Sequence, residues 1–239
     1  MVAAAAGQAL NPDFPLALYW WATQGAESPM GLRHSYTVLA PIYDLVVRRA
    51  TAALRKRSLQ MLGDVTGQTV LLAGIGSGLD IPLLPPAAQY IGVDITPAML
   101  RRARRQPGGL SVALHAGDVM ALPYPNHCFD IVVMHLILAV VPHPEKALAE
   151  ALRVLKPGGR LLILDKFLRR GQRAPLRRWL SPLLGKIATR TDVVFEDVLA
   201  ACQQPGLPLL DVVSDTPVLA HGWFRNILLR KPVSGICRE

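Results

Sequence analysis

Three glycines spaced Gly74-x-Gly76-x-Gly78 follow an apolar run, Val70-Leu71-Leu72-Ala73, and aspartates recur downstream at 94, 118 and 165. Glycine permits a sharp turn and, lacking a side chain, lets a ligand lie against the backbone. A helix that starts after such a turn presents unpaired N–H groups close to that ligand. A carboxylate at Asp94 can accept two hydrogen bonds from a ribose diol. Asp118 can accept an exocyclic adenine amine while the Val119 backbone meets the ring edge. The chemistry these types support together is nucleoside binding. Singly, each Asp has a plain alternative as a helix cap or turn residue, and the glycines as a tight turn.

The elements that must position these residues follow from the pattern of apolar runs and breakers. Val70–Leu72 does not alternate apolar with polar, so it reads as a strand buried on both faces. Further strands are expected at Tyr90–Val93, Ser111–His115, Phe129–Met134 and Arg160–Leu164. Helix-length segments separate them: a short helix ended by Pro85-Pro86, one opening at Thr96-Pro97 and running to Arg105, and Glu145–Leu155, stopped by Pro157-Gly158-Gly159. Strands alternating with helices indicate a parallel sheet with right-handed crossovers. In that arrangement Asp94, Asp118 and Asp165 all fall where strands end, the side on which open parallel sheets bind ligands. A helix over Asp192–Gln203 and two antiparallel strands, Leu209–Ser214 and Trp223–Leu229, complete the chain.

The 239 residues are enough for one domain with appendages, and half of them are apolar, which excludes a disordered chain. Mean hydropathy is +0.30. Lys and Arg exceed Asp and Glu by 26 to 17, a net +9 that favours an anionic partner. Cys128, Cys202 and Cys237 are too scattered for a disulfide framework or a zinc site, so no metal is expected. No secretory leader is recognised and the longest apolar run, Ile131–Val141, is too short for a bilayer crossing. The expectation is a cytoplasmic protein, with peripheral membrane attachment as an option.

Two segments concentrate the positive charge. A helix over about 42–62 carries Arg48, Arg49, Arg55, Lys56 and Arg57 with no acid between Asp44 and Asp64. Lys166–Thr191 carries eight Lys or Arg and no acid, with Leu176, Trp179, Leu180, Leu183, Leu184 and Ile187 on one helical face. Both suit an anionic surface; a solvated charged face is the alternative. Ahead of them Trp20-Trp21 lies in an arm without any basic residue, able to cover a pocket, meet a membrane interface or pack on the core.

Five ordered stretches carry a resemblance: Val-Leu-Leu-Ala-Gly-Ile-Gly-Ser-Gly (70–78), Gly-Val-Asp-Ile-Thr-Pro-Ala-Met-Leu (92–100), Gly-Asp-Val-Met-Ala-Leu-Pro-Tyr (117–124), Cys-Phe-Asp (128–130) and Leu-Lys-Pro-Gly-Gly-Arg (155–160). The series resembles class I S-adenosylmethionine-dependent methyltransferases, and the upstream Tyr36…Ala40-Pro41-Ile42-Tyr43-Asp44 resembles the aromatic entry segment of the quinone-methyltransferase-like branch. The resemblance implies an α/β, Rossmann-like, seven-stranded and mostly parallel sheet with a C-terminal antiparallel hairpin and helices on both faces. It divides the chain into an N-terminal arm and helical cap (1–62), a cofactor-binding core (63–165), the basic insertion (166–191) and a C-terminal part completing the core (192–239). It implies S-adenosylmethionine as cofactor, with contacts from Tyr43, Ala73, Gly74, Gly76, Gly78, Asp94, Ile95, Met99, Asp118, Val119 and His135. Tyr36, His135, His143 and Asp165 are the polar groups expected near the methyl, with Tyr36 and His135 as the catalytic candidates; a satisfied core histidine is the alternative for His135.

One departure stands out. The family usually places an acid two residues before the first glycine, to contact the cofactor's amino acid end, and here that position is Leu72. His135 or the Gly74 carbonyl are the replacements considered. For the methyl acceptor, His135–Val141 with Pro142-His-Pro-Glu and the basic insertion resemble bacterial phosphatidylethanolamine N-methyltransferases of the peripheral type. The rivals are a quinone, thiol or other small molecule as acceptor, and a non-catalytic binding protein of the same fold. Nucleic acid is disfavoured, because the basic residues alternate with helical stripes and build no base-stacking platform.

Overall fold

The structure, a computed structural model, describes residues 51–107, 109–168, 193–202, 210–218 and 224–233. Tyr36, Tyr43, the tryptophan pair, the first half of the 42–62 helix and nearly all of the basic insertion lie outside the described residues.

Seven strands form one sheet: β1 (Thr69–Ala73), β2 (Gln89–Asp94), β3 (Val112–Ala116), β4 (Phe129–His135), β5 (Leu155–Lys166), β6 (Asp211–Val218) and β7 (Phe224–Arg230). Their order is β3-β2-β1-β4-β5-β7-β6. β1 to β5 are parallel, and β7 runs antiparallel to both β5 and β6. The order turns outward on either side of β1 and β4. This is the crevice at which a doubly wound sheet opens to a ligand.

Each strand distributes its apolar residues to two layers. Val70, Leu72, Ile131 and Val133 pack with Leu59 of α1 (residues 51–60) and with Leu100 and Ala103 of α2 (Pro97–Ala103). On the opposite face Leu71, Ala73, Val132, Met134, Leu161 and Ile163 pack with Ala147, Leu148 and Ala151 of α3 (Pro144–Val154) and with Phe195 and Val198 of α4 (Phe195–Cys202). An unbroken apolar run is what a strand covered on both faces requires.

Element boundaries depart from the sequence reading in three places. The segment after the glycines is only a 3-10 turn, Ile81–Leu83, too short to be an α-helix. β5 begins at Leu155 and takes in Pro157-Gly158-Gly159, because Leu155 pairs with Phe129 and a register shift follows before Ile131 meets Arg160. β6 starts at Asp211 and runs to Val218 through Pro217, which the outermost strand tolerates because one side of its backbone needs no partner.

Candidate cofactor site and its buried polar layer

β1 ends at Ala73 and the chain turns at once. Gly74, Gly76 and Gly78 all have positive φ, the left-handed region that glycine enters without strain. Each glycine answers a different demand. A Cβ at Gly74 would lie 2.6 Å from Cγ1 of Ile137, and one at Gly78 would lie 2.9 Å from Cα of Ala103 in α2. A Cβ at Gly76 would meet nothing within 4 Å. The outer two glycines are close-packing positions, and the middle one borders open space.

Asp94 sits beside that space at the end of β2. Its Oδ2 accepts the Gly76 N–H at 2.9 Å and its Oδ1 accepts the Thr96 N–H at 2.8 Å. The carboxylate therefore holds the glycine turn and starts α2, with Thr96 at the N-cap and Pro97 in the first turn. Burial pushes its carboxyl above the usual value, against the pull of these backbone donors. A carboxylate offers about four acceptor positions, of which the two backbone donors and the Thr96 side chain occupy part. The remainder suits a ribose diol laid over Gly76, so the residues present fit a nucleoside cofactor.

The other expected contacts gather at the same edge. Ala73, Met99 and Val119 are buried, and Ile95 is half-buried behind Asp94. Asp118 follows β3 and is half-buried; its Oδ1 accepts the Met120 N–H at 2.8 Å, so it shapes its own turn as well as facing the crevice end of the sheet. Asp165, at the end of β5, is 1% exposed. Its oxygens accept the Ala139 N–H at 3.0 Å and the Lys166 N–H at 2.7 Å, and burial raises its carboxyl to about 6. It secures the loop after β4. His143 caps α3 at the surface, with its Nδ1 3.1 Å from Glu145 Oε1.

His135 takes an unexpected direction. Its ring turns under the sheet edge towards α1 and is 2% exposed. Nδ1 lies 3.1 Å from Asp80 Oδ1 and Nε2 lies 3.0 Å from Ser58 Oγ. Ser58 donates to Asn226 Oδ1 of β7 at 2.7 Å. Arg55 donates through Nη1 to the same Asp80 oxygen at 2.9 Å and through Nε to Thr51 at 3.0 Å. Burial alone would raise the Asp80 carboxyl, but His135 and Arg55 outweigh it and hold it well below the usual carboxylate range. The sequence places Arg55 on a basic face suited to an anionic surface, or to solvent. It points inward at 8% exposure, and only Lys56 and Arg57 beside it face solvent. The sequence signals for this layer were slight: an Asp directly after a glycine turn, and an Arg and a Ser three residues apart on a mostly apolar helix face.

Leu72 is confirmed as an apolar position. It is 2% exposed and packs among Leu59, Ile131 and Val133, so no carboxylate stands there.

The comparisons with known proteins agree with this geometry. A family model described as a methyltransferase domain matches residues 71–163. The phosphatidylethanolamine N-methyltransferase of Cereibacter sphaeroides is 30% identical over 188 residues, covering 77% of this chain and 89% of that protein. The chain belongs to the class I S-adenosylmethionine-dependent methyltransferases. The demethylmenaquinone methyltransferase of Thermus thermophilus is 35% identical over 140 residues, 54% of this chain and 63% of that one. Among solved structures, a chain from the complex of the Haloferax volcanii Trm112 methyltransferase activator with a methyltransferase superposes with a TM-score of 0.67 at 17% identity, covering 87% of this chain and all of the other. The enzyme therefore uses S-adenosylmethionine, and its acceptor is a separate question. Among the described residues no helix is long and apolar enough to cross a membrane.

Proposed function

We propose that this methyltransferase N-methylates the amine head group of a phospholipid such as phosphatidylethanolamine, working from the surface of an anionic membrane. The observation that carries the reading is the stem of the basic insertion. Leu168 N–H donates to the Val193 carbonyl at 2.8 Å, Leu168 forms a parallel bridge with Val194, and the rings of Phe167 and Phe195 lie 5.2 Å apart. The residues that lead into the insertion and those that follow it thus pair just beyond β5, on the carboxyl edge that also carries Asp94 and Asp118. A basic, amphipathic segment rooted at the mouth of the site is what a lipid-facing entrance requires. Lys and Arg near an anionic leaflet contribute roughly 1 kcal/mol each.

Bound S-adenosylmethionine supplies a methyl group on a sulfonium, which is the electrophile. On this reading Asp94 takes the ribose hydroxyls and Gly76 leaves room for the backbone approach. Ile95, Met99 and Val119 line the base, and Asp118 accepts its amine. Tyr43 and Tyr36 lie outside the described residues, and the family resemblance alone assigns them to the cofactor pocket and the acceptor side. When bound, the sulfonium would supply its methyl to the amine lone pair and leave as a neutral thioether, and the proton on nitrogen would go to water. Alignment dominates such a displacement. Asp165 and His135 are committed to partners inside the fold and are assigned no proton transfer.

A quinone acceptor is the second reading, favoured by the 35% identity to the Thermus thermophilus enzyme. Methyl-labelled cofactor, offered with vesicles of phosphatidylethanolamine with and without anionic lipid and with demethylmenaquinone, separates the two. Label in the lipid amine, increased by anionic lipid, is expected. Label confined to the quinone would overturn the proposal, and equal, negligible co-sedimentation with both vesicle types would end its membrane part.

A further inference from the structure

The family's usual acid before the glycines is missing here, yet a buried acid stands at the other end of the same turn. Asp80 follows Gly78 by two residues, and the Ile81 N–H donates to the Gly78 carbonyl at 3.0 Å across that junction. We propose that Asp80, gripped by Arg55 and His135, is a positioning residue that holds both ends of the cofactor turn in shape.

The far end of the turn is held directly. Arg55 on α1 reaches Asp80, while α2 presses Ala103 against Gly78 and Gln106 Nε2 donates to the Ser77 carbonyl at 2.8 Å. The near end is held through His135. The next residue, Leu136, has φ of +59°, a left-handed conformation that strains a non-glycine residue. Its N–H donates to the Leu164 carbonyl at 2.8 Å, and the following side chain, Ile137, sits over Gly74. With the His135 ring pinned between Asp80 and Ser58, this strained corner delivers Ile137 to the first glycine. One carboxylate thus touches one end of the turn and steers the residue that packs on the other. The layer around it is the polar part of an otherwise apolar contact between α1 and the sheet. Buried polar groups of this kind can select one register among several apolar ones.

Positioning and plain stability make different predictions. Removing one charge from such a cluster strands its partner, whereas replacing the whole cluster with apolar side chains is often neutral for stability. Asp80→Asn and the triple variant Arg55→Met, Asp80→Leu, His135→Leu are to be compared with the wild type. The readouts are the Kd for S-adenosylmethionine and for S-adenosylhomocysteine by calorimetry, and Tm. The expected result is a Tm lowered in Asp80→Asn and recovered in the triple variant, with both Kd values raised about tenfold or more in each folded variant. Asp80→Glu should recover part of the affinity. If the triple variant regains wild-type Kd together with Tm, or if Asp80→Asn binds as tightly as wild type, the cluster is structural only and the proposal fails. If Asp80→Asn does not fold, the triple variant decides alone, and if that too lacks a folded state the positioning role is rejected in favour of a folding role.

Discussion

The two ends of the parallel sheet use the same residue types for opposite purposes. At the carboxyl edge, Asp94 accepts two backbone donors and keeps acceptor capacity beside the open space at Gly76. At the amino edge, Asp130 serves only contacts within the fold. Its Oδ2 accepts the Thr69 N–H at 3.0 Å, and its Oδ1 takes Lys156 Nζ at 2.8 Å. Burial works against the Asp130 charge, but Lys156 and the Thr69 amide hold its carboxyl below the usual value. The glycines divide likewise. Gly158 N–H donates to the Lys231 carbonyl and Lys231 N–H to the Gly159 carbonyl, at 2.8 and 2.9 Å, which simply continues the ladder between β5 and β7. Motifs that occur in one ordered series thus serve binding at one edge and assembly at the other. Position along the strand decides which.

The contrast can be broken most severely at Asp94. Asp94→Ala should abolish detectable S-adenosylmethionine binding by calorimetry while the chain stays folded by circular dichroism. Unchanged affinity would remove the site from this edge.

A smaller effect sharpens the contrast through pH. Burial raises Asp165 from an ordinary value of 3.8 to about 6. The folded state therefore binds this proton more tightly than the unfolded chain does. The stability it contributes is complete below pH 3.8 and is lost as pH rises through about 6. That amounts to about 3 kcal/mol at most. Asp80 works in the opposite sense: its contribution is present above pH 3.8 and disappears as the solution is acidified below that value. Urea unfolding from pH 3 to 8 should show both limbs, and Asp165→Asn should flatten the one between pH 4 and 6. A limb that persists unchanged in the variant would assign it to another group.

The smallest effect belongs to the amino edge. Asp130→Ala removes a partly exposed ion pair and one backbone partner, and should cost about 1 kcal/mol of stability. The Kd for cofactor should not move. A weakened Kd without lost stability would mean that the two ends are not independent.

Much of this enzyme was legible before its structure. The strand–turn–helix alternation placed all seven strands within a few residues, because apolar runs and Gly or Pro breakers act locally. The glycine turn and Asp94 were legible for the same reason: the demand for positive φ and the strand-end position are both written in neighbouring residues. The boundaries that moved did so for non-local reasons. β5 starts early because Leu155 finds Phe129, and β6 runs through Pro217 because it is the last strand.

The succession of strands was thus determined by the sequence through periodic burial and local breakers, and the cofactor class through the resemblance of its ordered motifs, whereas the sheet order appears only in the fold. The fate of the charged side chains was decided only in the tertiary structure. Arg55 belongs to a basic face suited to an anionic surface or to solvent and is instead buried, while of the two readings open for His135 the structure shows the satisfied core histidine, bridging Asp80 and Ser58. Arg55, Ser58, Asp80, His135 and Asn226 come from four separate elements along 172 residues, counting from 55 to 226. No local pattern can announce such a meeting, because it exists only once α1, the glycine turn, β4 and β7 have packed together.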